Sequence, residues 1–166
     1  PLTDASVYTN TQDRPVYPEL QVTSTMAVVS KVESDTGVFN GGVEQQVAIR
    51  YQYEDFRANL IGRGVAGFKK LKTIDEQSGI VTETEYLQSF PYMGYPLKTT
   101  QKLSNGAMLS EATNTWAQRT IGNQVFAYLD LSVDKKWTLA SDSTPSDLTN
   151  NPRMFINQVR TRNTYG

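Results

Sequence analysis

The sequence predicts an all-β fold, an antiparallel meander of β-hairpins in an open or sandwich-like sheet with little or no helix. Three observations support this. Residue types that favour strands are frequent, with nine Tyr, six Phe and abundant Thr, Val and Ile in 166 residues. Apolar and polar residues alternate with the period of two that is typical of strands. Turn-forming residues separate the alternating runs, so the pattern predicts about eight to ten strands.

The first fifty residues carry signals of different strength. Residues 1–20 contain Pro15 and Pro18 and lack periodicity, so we expect an irregular or weakly paired lead-in. Residues 26–32 alternate weakly and predict a strand. The alternation between 43 and 53 is much clearer and predicts a half-buried strand. Its apolar face is formed by Val43, Gln45, Val47, Ile49, Tyr51 and Tyr53.

Turn chemistry separates the later strands. Asn-Gly pairs favour two-residue hairpin turns because both central residues need positive φ. The predicted turns are Asn40-Gly41-Gly42, 75–79, Asn105-Gly106 and Gly122-Asn123. The predicted strands between and around them are 68–74, 80–90, 97–103, 107–116, 112–120 and 124–133. Pro91 and Pro96 bracket a corner between two hairpins, because proline cannot donate to a sheet ladder.

The expected organisation is a single β-rich segment. We expect the hairpin series to occupy 21–138, a polar, turn-prone loop to occupy 139–153, and a final strand to lie within 154–166. Both ends of the sequence suggest a segment excised from a larger protein.

The composition excludes several kinds of chemistry. There is no Cys and no His, so thiolate nucleophiles, imidazole bases and zinc sites built on these residues are excluded. The formal net charge of -1 argues against a nucleic-acid partner. No apolar run approaches the roughly 20 residues of a membrane-spanning helix. We therefore predict no cofactor, no metal site and no enzymatic activity.

A glycine-rich segment resembles a phosphate-binding fingerprint. Residues Gly62-Arg63-Gly64-Val65-Ala66-Gly67 match the spacing G-x-G-x-x-G. The fingerprint requires a strand, a tight turn and a helix, whereas the residues that follow are prone to form a strand. We therefore interpret these glycines as allowing a bend or close strand packing.

Two carboxylates define a second candidate site. Glu83 and Glu85 share one strand face at a separation of about 7 Å, which is near the spacing of catalytic carboxylates in some glycosidases. A carboxylate-based hydrolase is therefore an alternative function. The favoured interpretation is a solvated face in which Lys69, Lys70 or Lys72 on the preceding strand pairs with them.

The aromatic residues allow a further alternative. A secreted β-sandwich module that binds glycans or a host or partner protein would present two or three of them on one exposed face. Cross-strand pairing in the core is favoured because aromatic pairs stabilise sheets. The residues concerned are Tyr51, Tyr53, Phe56, Phe68, Tyr86, Phe90, Tyr92, Tyr95, Trp116, Phe126, Tyr128 and Trp137.

The order of several motifs resembles one bacterial family. The segments Y-Q-Y-E at 51–54 and G-R-G-V-A-G-F at 62–68 are followed by Y-L-Q-S-F-P-Y-M-G-Y-P at 86–96 and F-A-Y-L-D-L-S-V at 126–133. This succession is similar to the Rhs/YD-repeat toxin superfamily, specifically the shell region of insecticidal toxin-complex B-components and their virulence-plasmid B-like relatives. The signature residues are Tyr51, Tyr53, Gly62, Arg63, Gly64, Gly67, Phe68, Tyr86, Phe90, Pro91, Tyr92, Gly94 and Pro96. Val65 and Ala127 depart from the family pattern without loss of strand character.

The resemblance implies a structural role. In that family, β-hairpins spiral into a hollow shell that encloses a C-terminal toxin, and the family's self-cleaving aspartate lies in a later Asp-Pro motif that is absent here. The implied partners are the rest of the parent shell and its enclosed toxin, and the implied location is secreted or on the bacterial cell surface. An isolated segment would have unpaired strand edges and could dimerise through them.

Overall fold

A computed structural model describes residues 1–11, 14–137 and 155–163. The described residues form ten β-strands and no helix. The strands are β1 Tyr8–Thr9, β2 Glu19–Gln21, β3 Lys31–Asn40, β4 Val43–Asn59, β5 Gly64–Asp75, β6 Ile80–Tyr86, β7 Pro96–Leu103, β8 Met108–Ile121, β9 Gln124–Trp137 and β10 Phe155–Arg162. The prediction of an all-β fold is therefore confirmed.

All ten strands belong to one open sheet. From β4 to β10 each strand pairs with the next, and every one of these pairings is antiparallel. Strands β1, β2 and β3 all pair with β4, and of these only β1 is parallel to it. The meander of hairpins that the alternation predicted is thus the main architecture.

Local turn chemistry explains the hairpins. Gly41 and Gly42 connect β3 to β4 with φ of 60° and 83°, which is the positive φ that a two-residue hairpin turn requires. The Asp75 carboxylate accepts hydrogen bonds from the Gln77 N–H at 2.9 Å and the Ser78 hydroxyl at 2.7 Å, which closes the β5–β6 turn. In the turn that precedes β8, the side-chain oxygen of Asn105 accepts a hydrogen bond from the Ala107 N–H at 2.9 Å. All four predicted turns lie between strands as expected.

The first thirty residues differ in part from expectation. Two short strands, β1 and β2, lie in the lead-in that we expected to be irregular or weakly paired. The strand predicted over 26–32 is wrong for most of its length, since β3 begins only at Lys31. Residues 22–30 instead make isolated contacts, including the hydrogen bonds from Val22 N–H to the Phe56 carbonyl at 2.9 Å and from Tyr51 N–H to the Ser30 carbonyl at 2.9 Å. Alternation alone could not reveal that β1 and β2 occupy the neighbouring edge of β4.

The C-terminal predictions are partly outside the described residues. The predicted final strand is present as β10, which pairs with β9. The polar loop predicted at 139–153 lies outside the described residues.

Strand β4 is the organising element of the sheet. One edge pairs with β5 along residues 49–59. The opposite edge pairs in turn with β3 at 43–50, β1 at 53–54 and β2 at 57–59. A single 17-residue strand therefore holds together the start of the chain and the hairpin meander.

The buried core is small and lies beside β4. Leu2, Tyr8 and Phe56 are 2%, 6% and 9% exposed and form its centre. Partly buried apolar side chains pack against them: Val22, Val28, Tyr53 and Phe68. The residues from β6 to β9 are mostly half-buried, so this part of the sheet has no enclosed core of its own within the described residues.

Two hairpins extend beyond their neighbours. β5 begins to pair with β4 at Ile49, so residues 35–47 of β3 and β4 form a two-stranded projection, the β3–β4 arm. β7 pairs with β8 only as far as Thr113, and β10 pairs with β9 only from Leu131 onward. Residues 116–129 therefore form a second projection, the β8–β9 arm, at the opposite end of the sheet.

Candidate functional site

The glycine-rich segment and the proline corner meet at one end of the sheet. Gln88, which belongs to the corner, is 6% exposed. Its side-chain amide donates to the Asp55 carbonyl at 2.7 Å and to the Gly67 carbonyl at 2.8 Å. Two motifs that are about twenty residues apart in the sequence are therefore joined by one buried side chain, and we call this region the corner site.

A cationic side chain adds a second link. The Arg63 guanidinium lies 3.8 Å from the centre of the Phe90 ring. This distance is within the range of a cation–π interaction. The turn between β4 and β5 is thus fixed to the corner between β6 and β7.

An ion pair with little solvent exposure extends the corner site toward the lead-in. Arg57 Nη1 lies 3.2 Å from Glu19 Oε2, and the two side chains are only 10% and 13% exposed. The Ser89 hydroxyl donates to the other carboxylate oxygen of Glu19. Strands β2 and β4 and the proline corner therefore share one polar cluster.

Asp55 is the most unusual residue of the region. It has φ of 49°, rare for a residue other than glycine, and it is fully buried. Its carboxylate accepts from the Thr11 N–H at 2.9 Å, the Thr11 hydroxyl at 2.5 Å and the Gln21 amide at 3.0 Å. Burial raises the pKa of Asp55, but these hydrogen bonds and the nearby Lys69 charge outweigh it, so the pKa is lowered below 3.8.

Sequence reasoning missed Asp55. The available signal was a break in the alternation of the strand. Tyr51 and Tyr53 are two residues apart, so the next aromatic residue is expected at 55, but it stands at Phe56. Aspartate is one of the few residue types that tolerate positive φ. The partners Thr11 and Gln21 carry no motif, so the three-way contact could not be predicted.

Aromatic side chains form the apolar part of the region. The Phe68 ring centre lies 4.7 Å from that of Tyr53, 4.9 Å from that of Phe56 and 6.4 Å from that of Tyr8. A separate pair, Tyr95 and Trp116, lies at 4.4 Å. Aromatic pairing is confirmed for Tyr53, Phe56, Phe68, Tyr95 and Trp116. The interpretation as core residues is wrong for Phe90 and Phe126, which are 42% and 49% exposed.

The glycine-rich segment does not form a phosphate loop. β5 begins at Gly64, so a strand rather than a helix follows the turn. The pairing between β4 and β5 shifts between Arg57 and Ala58. Arg57 lies opposite Gly67 and Ala58 lies opposite Val65, so Ala66 has no pairing partner on β4. Gly67 has φ of 83°, and the carbonyl that it presents is the one bound by Gln88. The interpretation of these glycines as a bend is confirmed.

Glu83 of β6 forms an ion pair, and Glu85 lies between Lys70 and Lys98 in the register of the sheet. The predicted lysine neighbours are correct in register, with Lys72 opposite Glu83 and Lys70 opposite Glu85. The ion pairs themselves differ from the prediction. Lys102 of β7 binds Glu83 at 2.7 Å. Lys70 instead binds Glu54 at 3.0 Å, which the sequence did not indicate.

The same network continues across the sheet. Glu111 of β8 binds Lys98 at 2.9 Å and Lys135 at 3.3 Å. Within the described ranges, no group of three acidic residues is placed to hold a metal ion. The charged side chains thus bind one another across strands.

The two faces of the sheet differ chemically. Register partners share a face, so Glu54, Lys70, Glu85 and Lys98 lie together on one side. The adjacent row lies on the other side. It is uncharged from β4 to β8, with Tyr53, Leu71, Thr84, Thr99 and Ala112, and it ends at Asp134 on β9. One face is therefore a lattice of ion pairs, and the other is rich in threonine and apolar groups.

A shallow apolar hollow of about 250 Å³ lies between the two motifs of the corner site. Tyr53, Phe68 and Tyr86 line it together with Gly67 and Gly94. Five of the thirteen signature residues that the sequence singled out therefore meet around one hollow.

Comparisons with protein-family models, curated proteins and solved structures find no match for this chain. Among the residues described, no helix is long and apolar enough to cross a membrane.

Proposed function

We propose that this chain is a non-catalytic structural segment of the β-shell of an exported Rhs/toxin-complex-type protein that encloses a C-terminal toxin. The observation that carries the proposal is the extent of the single sheet. β4, β8 and β9 have 17, 14 and 14 residues, whereas a typical strand has about five or six. Strands of this length span roughly 50 Å and suit a wall better than a small closed domain.

The chemistry of the two faces supports the same proposal. A wall separates an interior from solvent, and the sheet has one face of ion pairs and one face that is uncharged along the row from Tyr53 to Ala112. The ion-pair face suits contact with water, and the less charged face suits a lining that binds an unfolded polypeptide only weakly through charge. The corner site then acts as a joint that fixes successive hairpins to each other.

The test uses two adjacent positions of β6 in the full-length gene product. The 166 residues contain no cysteine, so Thr84→Cys and Glu85→Cys, each made in a full-length background from which any other cysteine has been removed, report the two faces separately. We expect a bulky maleimide to label residue 85 quickly and residue 84 only after the shell is opened with mild denaturant. A protease added to the intact protein should leave the C-terminal polypeptide undigested. Equal labelling of the two positions together with rapid digestion of that polypeptide would contradict the proposal.

One observation favours a second candidate function, a secreted module that binds glycans. The hollow of the corner site is lined by three aromatic residues, and aromatic rings bind the apolar faces of sugars. Glycan-array binding that disappears in Tyr86→Ala and persists in Tyr51→Ala would support this function. An absence of binding in the unmodified chain would leave the shell proposal as the one to pursue.

A further inference from the structure

The β3–β4 arm has an open strand edge. β4 has no β5 partner before Ile49, so no described residue pairs with the outer edge of residues 43–47. Residues 43–46 are all exposed. An open hollow of about 320 Å³ lies beside this edge, between the arm and the β5–β6 turn. An incoming strand can therefore reach residues 43–47, whereas the β5–β6 turn blocks pairing from Ala48 onward, because the Ala48 carbonyl binds the Glu76 N–H.

The hydrogen-bonding groups of this edge can be assigned. The Gln45 carbonyl accepts from the Thr36 hydroxyl at 2.7 Å and so points toward β3. The Ala48 carbonyl accepts from the Glu76 N–H at 2.9 Å and so points away from β3. Because backbone groups alternate in direction along a strand, the N–H and C=O groups of Glu44 and Gln46 point outward. These four groups are the ones an added strand would bind.

The usual protections of an edge are missing here. Proteins block such edges with proline, with charged side chains, above all lysine, or with a bulge. The single charge here is Glu44, and the protections that are most effective are proline, lysine and a bulge. Residues 43–47 of β4 read Val-Glu-Gln-Gln-Val and contain none of these, and the pairing irregularity of this hairpin falls on 36–38 of β3. Among the other open edges, β10 carries the exposed Arg160 and Arg162, and β3 carries Lys31 and the pairing irregularity. Residues 124–128 of β9 lie beyond the end of β10 and, like the β3–β4 arm, lack proline and lysine. The β3–β4 arm is therefore one of two projecting edges that are open to a partner.

We propose that two copies of this chain pair through this edge, antiparallel and around a two-fold axis at Gln45. In this register Glu44 of each copy lies opposite Gln46 of the other, and the outward groups of both residues form four hydrogen bonds. Val43 lies opposite Val47, and Gln45 lies opposite itself. No like charges face each other, so the edge is complementary to a second copy of itself.

The neighbouring registers are less favourable. Moving the axis to Glu44 places that carboxylate directly opposite its own copy. Moving it to Gln46 places Glu44 opposite Ala48, whose carbonyl already accepts from Glu76. The charge and the hydrogen bonds of the arm thus select the axis at Gln45. This inference does not depend on the proposed shell function.

The first test is sedimentation velocity of the 166-residue chain over a range of concentrations. We expect a reversible dimer. Gln46→Pro removes an outward backbone N–H on each copy, and we expect the dissociation constant to rise about tenfold or more. It also removes the side-chain donor to Asp35 of β3 at 2.8 Å, so Gln46→Ala, which loses only that side chain, is the control and should leave the dimer nearly unchanged. A chain that stays monomeric at millimolar concentration would overturn the proposal.

A charge exchange at the axis tests the register and controls for misfolding. Gln45→Lys and Gln45→Glu should each weaken the dimer, by about two- to fivefold, because like charges meet across the axis. An equimolar mixture of the two variants should form a heterodimer at least as tight as the original dimer, which misfolded chains could not do. Gln124→Lys and Gln124→Glu, on the β8–β9 arm, serve as matched controls and should change nothing. A dimer whose dissociation constant does not change with the charge at residue 45 would refute this register.

Discussion

The Arg63 guanidinium lies 3.8 Å from the centre of the Phe90 ring and joins two turns at the same end of the sheet. Arg63 belongs to the turn before β5, and Phe90 belongs to the corner before β7. Neither residue is held in a deep core, since Phe90 is 42% exposed. The contact is therefore a specific one between two surface turns.

The energy of this contact can be measured by a double-mutant cycle with Arg63→Gln and Phe90→Leu. We expect a coupling free energy of about 0.5–1 kcal/mol, the range for exposed cation–π pairs. Urea unfolding of the four proteins provides the values. As a control, Arg119→Gln combined with Phe90→Leu should show additive effects. Additivity in the Arg63 cycle would show that the contact contributes nothing.

Gln88 should be more important to stability than the exposed pair. Gln88→Met keeps the length of the side chain but removes the donor that satisfies the carbonyls of Asp55 and Gly67. We expect a loss of about 2 kcal/mol, because buried carbonyls are left without a partner. Gln124→Met, at an exposed position, should change stability by less than about 0.5 kcal/mol. Equal effects of the two substitutions in thermal or urea unfolding would contradict this account of the corner site.

Asp55 should make stability depend on pH. Its folded pKa lies below its ordinary value of 3.8, so its contribution is complete above that value and is lost as the pH falls through the lower, folded pKa. At neutral pH, Asp55→Asn should cost about 2 kcal/mol, because hydrogen bonds to a charged acceptor are weakened. The difference between the two proteins should shrink in acid. A pH series of urea unfolding checks this, with Asp134→Asn as the matched control on β9, and a difference independent of pH would disprove the assignment.

The ion-pair face should respond to salt. Lys98 chiefly, and Lys135 to a smaller extent, lower the pKa of Glu111 against the opposing effect of burial. Its contribution is therefore present at neutral pH and lost as acid protonates the carboxylate. Glu111→Gln should cost about 0.5–1 kcal/mol at low ionic strength and less in molar salt. A cost that is unchanged by salt would indicate that Glu111 acts through packing.

The meander could be predicted because its signals are local. Asn105-Gly106 and Gly122-Asn123 identify their turns within a few residues, and the alternation from Val43 to Tyr53 identifies a strand. The half-buried face predicted for this strand is wrong at its start, where residues 43–46 are exposed. The length of β4 could not be predicted, because the alternation breaks at Asp55. The strand continues to Asn59 in the structure.

The corner site could be predicted only as separate parts. The glycines at 62–67 and the prolines at 91 and 96 identify two turns, but nothing in their spacing indicates that Gln88 bridges them. The lead-in was the least predictable region. β1 and β2 have two and three residues, and their pairing depends on a strand more than thirty positions later.

The edge of β4 that pairs with β1, β2 and β3 has a consequence for the order of folding during synthesis. Residues 1–30 leave the ribosome before β4 does, so the strand that they contact is not complete until Asn59 has followed them. Hairpins with short loops close quickly, so the β3–β4 and β4–β5 hairpins can form before β1 and β2 pair with β4. Thr11 and Gln21 can reach the Asp55 carboxylate only afterwards. The lead-in thus becomes ordered only after the hairpins that follow it, and a nascent chain halted shortly before residue 55 should expose the lead-in to proteases.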